Sequence, residues 1–266
     1  MKNPLLKSVT IESEDCSTKE FVLYLLNELQ ISTTKQLYEY MKFDWSLSLS
    51  RFKNLLVELQ KEQLIQSVST YKGTREKAYF LSQKGRQFIQ SRYPVPDVTQ
   101  LHVVQKIIAV NDLLLTIIHW CVTQNVPILS LITAYQASAD TLFEIRNEPR
   151  WVDARLLIEW EKEEYFFSFH VFLQWLDFSH GSDRLESLRN SLIFGYSERK
   201  NVEAEYNETI RAYPNSYAIA LGKNDGIVEQ LRDYLTELAF EEPKIVDYLF
   251  IENYHEFLLA NYFKKA

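Results

Sequence analysis

The feature that most restricts the fold is a short hairpin placed directly after three helical segments. Residues 64–71 (Leu-Ile-Gln-Ser-Val-Ser-Thr-Tyr) and 77–81 (Lys-Ala-Tyr-Phe-Leu) are strand-length runs of aliphatic, threonine and aromatic residues. Between them, Lys72-Gly73-Thr74-Arg75-Glu76 places a glycine at the tip of a turn with basic flanks. Upstream, Ser17-Thr-Lys-Glu20 is a capping-box sequence, in which Glu20 can return to the backbone N–H of the cap. Phe21, Leu25, Leu26 and Leu29 follow at helical spacing, so a first helix is expected over 18–30. Ser32 is the expected cap of a short second helix over 33–41, with Leu37, Tyr40 and Met41 inward. A third helix begins after Ser48, and Leu49, Phe52, Leu55, Leu56 and Leu59 form its buried stripe.

Turning about 100° per residue, that helix carries Ser50, Asn54 and Lys61 opposite the stripe, with Arg51 and Lys53 on the flanks. Its amino-terminal half is therefore polar and basic on the free face. The strand after the turn runs into Leu81-Ser-Gln-Lys-Gly-Arg86, where Ser82 is the expected cap of a short helix over 87–92 and Lys84 and Arg86 lie near its amino-terminal end. Tyr93-Pro94-Val95-Pro96 closes the module, because two prolines remove donors and disfavour helix. The expected organisation is a flexible start over 1–16, a winged helix-turn-helix over 17–92, a linker over 93–100 and a second domain over 101–266.

Charge distribution gives that module a partner. The chain of 266 residues has a net charge of -7, yet residues 46–95 hold nine basic against three acidic residues. A basic module on an acidic body is the footprint of local contact with a polyanion. Double-stranded DNA is the expected partner. Ser50, Arg51 and Asn54 would meet base edges in the major groove, where arginine and asparagine make paired hydrogen bonds to guanine and adenine. Lys53, Lys72, Arg75, Lys77, Lys84 and Arg86 would meet phosphates, with Gly73 at the tip of the wing.

The rest of the chain reads as an α/β domain. The expected order is a helix over 102–124, a strand over 126–135, a polar loop or short helix over 137–150, a strand over 151–159, a turn over 161–164 and a strand over 165–175. A helix over 183–197, a central strand over 216–221, a helix over 227–238 capped by Asn224-Asp225, and an apolar segment over 244–263 read as helical follow. The apolar region 103–122 is broken by Gln105, Lys106, Asn111, Asp112 and His119, the pattern of a buried helix and not of a membrane span. With no signal sequence in the opening residues and two distant cysteines, Cys16 and Cys121, a reduced, cytoplasmic setting is expected.

In outline the second domain resembles the core of the PD-(D/E)xK nucleases, where carboxylates on adjacent strands hold Mg²⁺ beside a lysine. Asp153 stands at the first carboxylate position. Gln174 and Asp177 lie near the end of the next strand with no lysine beside them, so the site is read as degenerate, with no catalytic residue and no metal. The layout as a whole, over roughly 18–240, resembles the replication-relaxation family of plasmid and mobile-element proteins. Trp151-Val-Asp-Ala-Arg-Leu156 stands for that family's Pro-Asp-Ala strand; Trp175-Leu-Asp177 with Gly181-Ser182 stands for its acidic strand end; and Leu188-Arg-Asn-Ser-Leu-Ile-Phe-Gly-Tyr196 stands for its tyrosine-ended helix. The resemblance implies non-catalytic DNA binding in replication, relaxation or transfer, beside a relaxase or replication protein.

No nucleotide-binding glycine motif, nucleophile elbow or zinc spacing occurs, and the five histidines are not paired at helical spacing, so no cofactor is expected. The aromatic run Phe166, Phe167, Phe169, Phe172, Trp175 and Phe178 is core or, with a surplus on one face, a dimer interface; a homodimer is expected. Two other readings stand beside the first: a repressor whose second domain senses a ligand or partner, and a metal-dependent nuclease using Asp153 and Asp177.

Overall fold

The computed structural model describes residues 16–71, 75–91, 93, 95–133, 153–173, 185–186, 188–189, 192, 215–241 and 249–253. The chain is mixed α and β and divides into two compact units, 1–118 and 119–266.

In the first unit, helix α1 (Thr18–Leu29) opens on the capping box its sequence announces: the Ser17 hydroxyl accepts from the Glu20 N–H, and Glu20 returns to the Ser17 N–H at 2.8 Å. The Ser17 hydroxyl, donating to the Glu20 carboxylate at 2.7 Å, and the Ser17 N–H hold that carboxyl below its ordinary pKa. A two-residue strand β1 (Ser32–Thr33) precedes helix α2 (Thr34–Met41). The cap of α2 is Thr33 and not Ser32: the Thr33 hydroxyl accepts from the Gln36 N–H at 3.2 Å, while the Ser32 hydroxyl accepts from Asn111 at 3.1 Å. Helix α3 (Leu49–Lys61), capped by Ser48, is followed by the hairpin β2 (Ile65–Ser69) and β3 (Lys77–Leu81), giving a sheet ordered β1-β3-β2. Phe21, Leu25, Leu26, Tyr40, Phe52 and Leu56 fill the space between helices and sheet.

Helix α4 (Gln83–Phe88) starts directly after Ser82, four residues before the expected 87–92, because the Ser82 hydroxyl accepts from the Gly85 N–H at 3.0 Å. The larger departure concerns helix α5 (Leu101–Gln124), whose residues up to Ile118 fall in the first unit, so the units part inside this helix and not at 93–100. The reason is a set of polar contacts made by its buried face. Asn111 donates to the Leu29 carbonyl at 3.0 Å, the Ile31 carbonyl at 2.8 Å and the Ser32 hydroxyl at 3.1 Å. Gln36 donates to Asp112 at 2.7 Å and to the Ile108 carbonyl, and Tyr40 donates to the Asn111 carbonyl. Among the described residues α5 is the one helix long and apolar enough to cross a bilayer, and 67% of that window is buried inside the protein.

In the second unit, five strands run in the order β4-β5-β6-β7-β8: β4 (Ile128–Thr133), β5 (Ala154–Trp160), β6 (Glu163–Phe172), β7 (Asn215–Gly222) and β8 (Leu249–Asn253). The first three form an antiparallel meander; β7 and β8 add in parallel. Helix α6 (Asp225–Glu241) joins β7 to β8, with the Asn224 side chain accepting from the Ile227 N–H. Leu188 and Leu192 pack with α6 residues Ile227, Leu231 and Leu238 against Phe172, Ala218 and Ala220 of the sheet.

The segment 244–263 supplies a parallel strand over 249–253 where a helix was expected, because Leu249-Phe-Ile251 finds the open edge of β7. Of the helix expected over 183–197, residues 185–186, 188–189 and 192 are helical; its other residues, and the segment 137–150, lie outside the described residues. Phe166, Phe167, Phe169 and Phe172 are buried in this sheet, while Trp175 and Phe178 lie outside the described residues.

Cys121 is buried and its thiol is pushed up to about 12 by burial, whereas Cys16 is half-buried. Thiolate is the reactive form. Titration with a thiol reagent at pH 8 is expected to modify Cys16 promptly and Cys121 only after denaturant is added; two equally fast thiols would contradict the burial.

Candidate nucleic-acid interface

Helix α3 buries Phe52, Leu56 and Leu59 and turns the rest of its surface outward. Ser50, Arg51, Lys53, Asn54 and Lys61 are all exposed, as the spacing requires. The helix begins with the Ser48 hydroxyl accepting from the Arg51 N–H at 3.4 Å, so Ser50 and Arg51 occupy its first turn. Ser50, Asn54 and Lys61 run along one line of the cylinder, spanning about 16 Å. Three other cations of this unit are held differently: Lys19 pairs with Glu62 at 2.5 Å, Lys42 pairs with Glu39 at 2.7 Å, and Lys106 is buried. Arg51 and Lys53 form no ion pair among the described residues.

The hairpin presents Arg75 and Lys77, both exposed; Lys72 and Gly73 lie outside the described residues. Its base is closed by Thr70, whose N–H donates to the Glu76 carbonyl and whose hydroxyl donates to the Glu76 carboxylate at 3.2 Å. Glu76 is thereby held at the base of the hairpin, between its two exposed basic neighbours.

Lys84 and Arg86 are not gathered with Ser50 and Arg51. Lys84 donates to the Glu62 carbonyl at 2.9 Å, at the carboxyl-terminal end of α3, where a cation also meets the negative end of the helix dipole. Arg86 is half-buried, and burial lowers its guanidinium pKa.

Three residues on the free face of α3 escaped the sequence reading. Leu49, assigned to the buried stripe, is 40% exposed, and Val57 is 48% exposed. Glu58 is exposed beside them. Position within the helix was the available signal: Val57 is three residues on from Asn54, on the same line.

In the second unit, Asp153 alone of the nuclease-like positions lies among the described residues. Asp153 is buried, and its Oδ2 accepts from the Val171 N–H at 2.7 Å. The β5–β6 register pairs Ala154 with Phe169 and Arg155 with Ser168, and the Asp153 N–H donates to the Phe169 carbonyl at 2.9 Å. Arg155, Ser168 and His170 are buried polar residues of the same two strands. Gln174 and Asp177 lie outside the described residues, and no group of three metal-binding side chains occurs among the described ones. Comparison of the chain with protein families, with characterised proteins and with solved structures found no match.

Proposed function

We propose that the first unit is a winged helix-turn-helix that binds double-stranded DNA, with α3 as the recognition helix and the β2–β3 hairpin as the wing. The observation that carries this reading is the outward face of α3: Ser50, Arg51 and Asn54 stand exposed at the leading end of a helix whose opposite face is fixed in the core. A helix fits the major groove of B-form DNA, and these side chains match guanine and adenine edges. Lys53, Lys72, Arg75 and Lys77 supply the phosphate contacts. The overall charge of -7 does not oppose this, since charges beyond about 8 Å are screened at physiological ionic strength and the basic residues are local.

The second unit, in this reading, retains the outline of a nuclease-like fold and acts without cleaving DNA, as a platform for pairing two copies or for docking a replication or transfer protein. The support is Asp153, which is buried and accepts from the Val171 N–H at 2.7 Å. A dimer would present two α3 helices to half-sites about one helical turn apart.

Fluorescence anisotropy with duplexes tiled across the gene's own neighbourhood, over a range of salt, tests the reading. Four phosphate contacts give a slope of log affinity on log salt of about -4 per module. Arg51→Ala is expected to cost about 1–3 kcal/mol on the preferred site and to relax choice at one base pair. Lys77→Ala should weaken all duplexes alike and reduce the slope by about 1. Absence of binding to every duplex at low salt would sink the proposal.

A further inference from the structure

The exposed face of α3 contains more apolar surface than a solvent-facing helix needs, and its position is informative. Val57, at 48% exposure, lies between Asn54 and Lys61 on the line of side chains farthest from the core. Leu49, at 40% exposure, is the first residue of the helix and lies one turn before Lys53 on the neighbouring flank. Both are framed by Ser50, Asn54, Lys53 and Lys61, none of which is apolar enough to make a hydrophobic contact site for a protein. An aliphatic side chain set among an asparagine and cations matches one feature of duplex DNA. In the major groove, thymine presents a C5-methyl group beside its O4 acceptor, and adenine presents the N6 and N7 atoms an asparagine can hold.

We infer that Leu49 and Val57 are specificity-determining residues that read thymine methyl groups, so that the site preferred by α3 is rich in A·T pairs flanking the contact made by Arg51. The inference rests on the proposed DNA binding and adds to it which bases are chosen. The eight residue steps from Leu49 to Val57 span about 12 Å of helix. At 3.4 Å per base pair, the two methyl-sensitive positions lie no more than about four base pairs apart. Asn54, between them in the sequence, faces an adenine inside that interval. Glu58, on the far flank of the same face, disfavours phosphate there and suits a cytosine amino group.

Replacing thymine with uracil removes the methyl and nothing else, so the test is made on the DNA as well as on the protein. Duplexes would be selected from a randomised pool by the full chain, then resynthesised with uracil at each thymine in turn. Loss of one buried methyl contact is expected to weaken binding about fourfold. Val57→Ser should bind the thymine and uracil duplexes equally at one position, and Leu49→Ser at another within about four base pairs. Val57→Thr, which keeps one methyl, should retain part of the discrimination. Both residues are exposed, so unchanged thermal unfolding of the variants checks that the fold is intact. A selected site bound equally well with thymine or uracil at every position overturns this inference and leaves DNA binding standing. Binding with no sequence selected, or no binding of any duplex, overturns the inference together with the function it rests on, and would point to a protein as the occupant of this helix face.

Discussion

Gly85→Ala is expected to destabilise the first unit by about 3 kcal/mol or more, lowering its thermal midpoint by roughly 10 °C. The reason is contact and not backbone conformation, since the residue has an ordinary negative φ. A methyl on Gly85 would sit 3.0 Å from the Leu64 carbonyl carbon and closer still to its oxygen. That carbonyl is not free to swing aside: it accepts from the Ser82 N–H at 3.0 Å and from the Ser82 hydroxyl at 3.1 Å. Helix α4 would have to lift from β2, and the hydrogen bonds of Ser82, which set the end of β3 and the start of α4, would break with it. Gln83→Ala, two residues earlier on an exposed side of the same helix, should leave stability unchanged. Equal midpoints for Gly85→Ala and wild type in thermal or urea unfolding would show that α4 does not approach β2 this closely.

What was legible in the sequence depends on whether the signal was local. Helices α1 and α3 could be read because Ser17 and Ser48 are caps and the buried residues recur at helical spacing. Leu49 was misassigned for a physical reason: as the first residue of its helix it continues the apolar stripe but has no preceding turn to pack beneath it, so it stays 40% exposed. Thr33 and not Ser32 is the cap, and the Ser32 hydroxyl accepts from Asn111, seventy-nine positions away in the chain, which no local rule contains. The strand over 249–253 is a short apolar run of the kind that periodicity cannot separate from a buried helix.

The candidate sites follow the same division. The exposed residues of α3 were found because one helix fixes both of its faces at once. The partner of Asp153 was not, because register across a hairpin depends on the turn. Glu161 and Lys162 both adopt positive φ, 52° and 69°, in a two-residue turn without glycine or asparagine. That turn pairs Trp160 with Glu163 and Ala154 with Phe169, and the Val171 N–H beyond them donates to Asp153. A turn read over 161–164 shifts the pairing by two residues and directs attention further along β6, toward Gln174 and Asp177.

Asn111→Asp is expected to be the most damaging change in α5, and its pH dependence identifies the cause. The Asn111 side-chain nitrogen is surrounded by three oxygens, from Leu29, Ile31 and Ser32, which fixes it as the donor. The Leu29 carbonyl, at the end of α1, also accepts from the Ile31 N–H at 2.7 Å, and Gln30, at φ 61°, turns the chain away without a glycine to close the helix. Asn111→Leu removes the donor these buried oxygens share, a loss of about 1–3 kcal/mol that does not vary with pH. Asn111→Asp sets a carboxylate against the same oxygens. Its carboxyl would bind a proton more tightly folded than unfolded, so its folded pKa lies above the unfolded one. The stability of that variant is therefore greatest below about pH 4 and is lost as pH rises, by up to about 1.4 kcal/mol per unit, until the folded pKa is passed. Urea unfolding at pH 5 and pH 8 separates the two. The deficit of Asn111→Asp relative to wild type should widen between these values, while that of Asn111→Leu stays constant. A deficit for Asn111→Asp equal at both would mean that the side chain reaches water, and that α5 is not held to α1 through this residue.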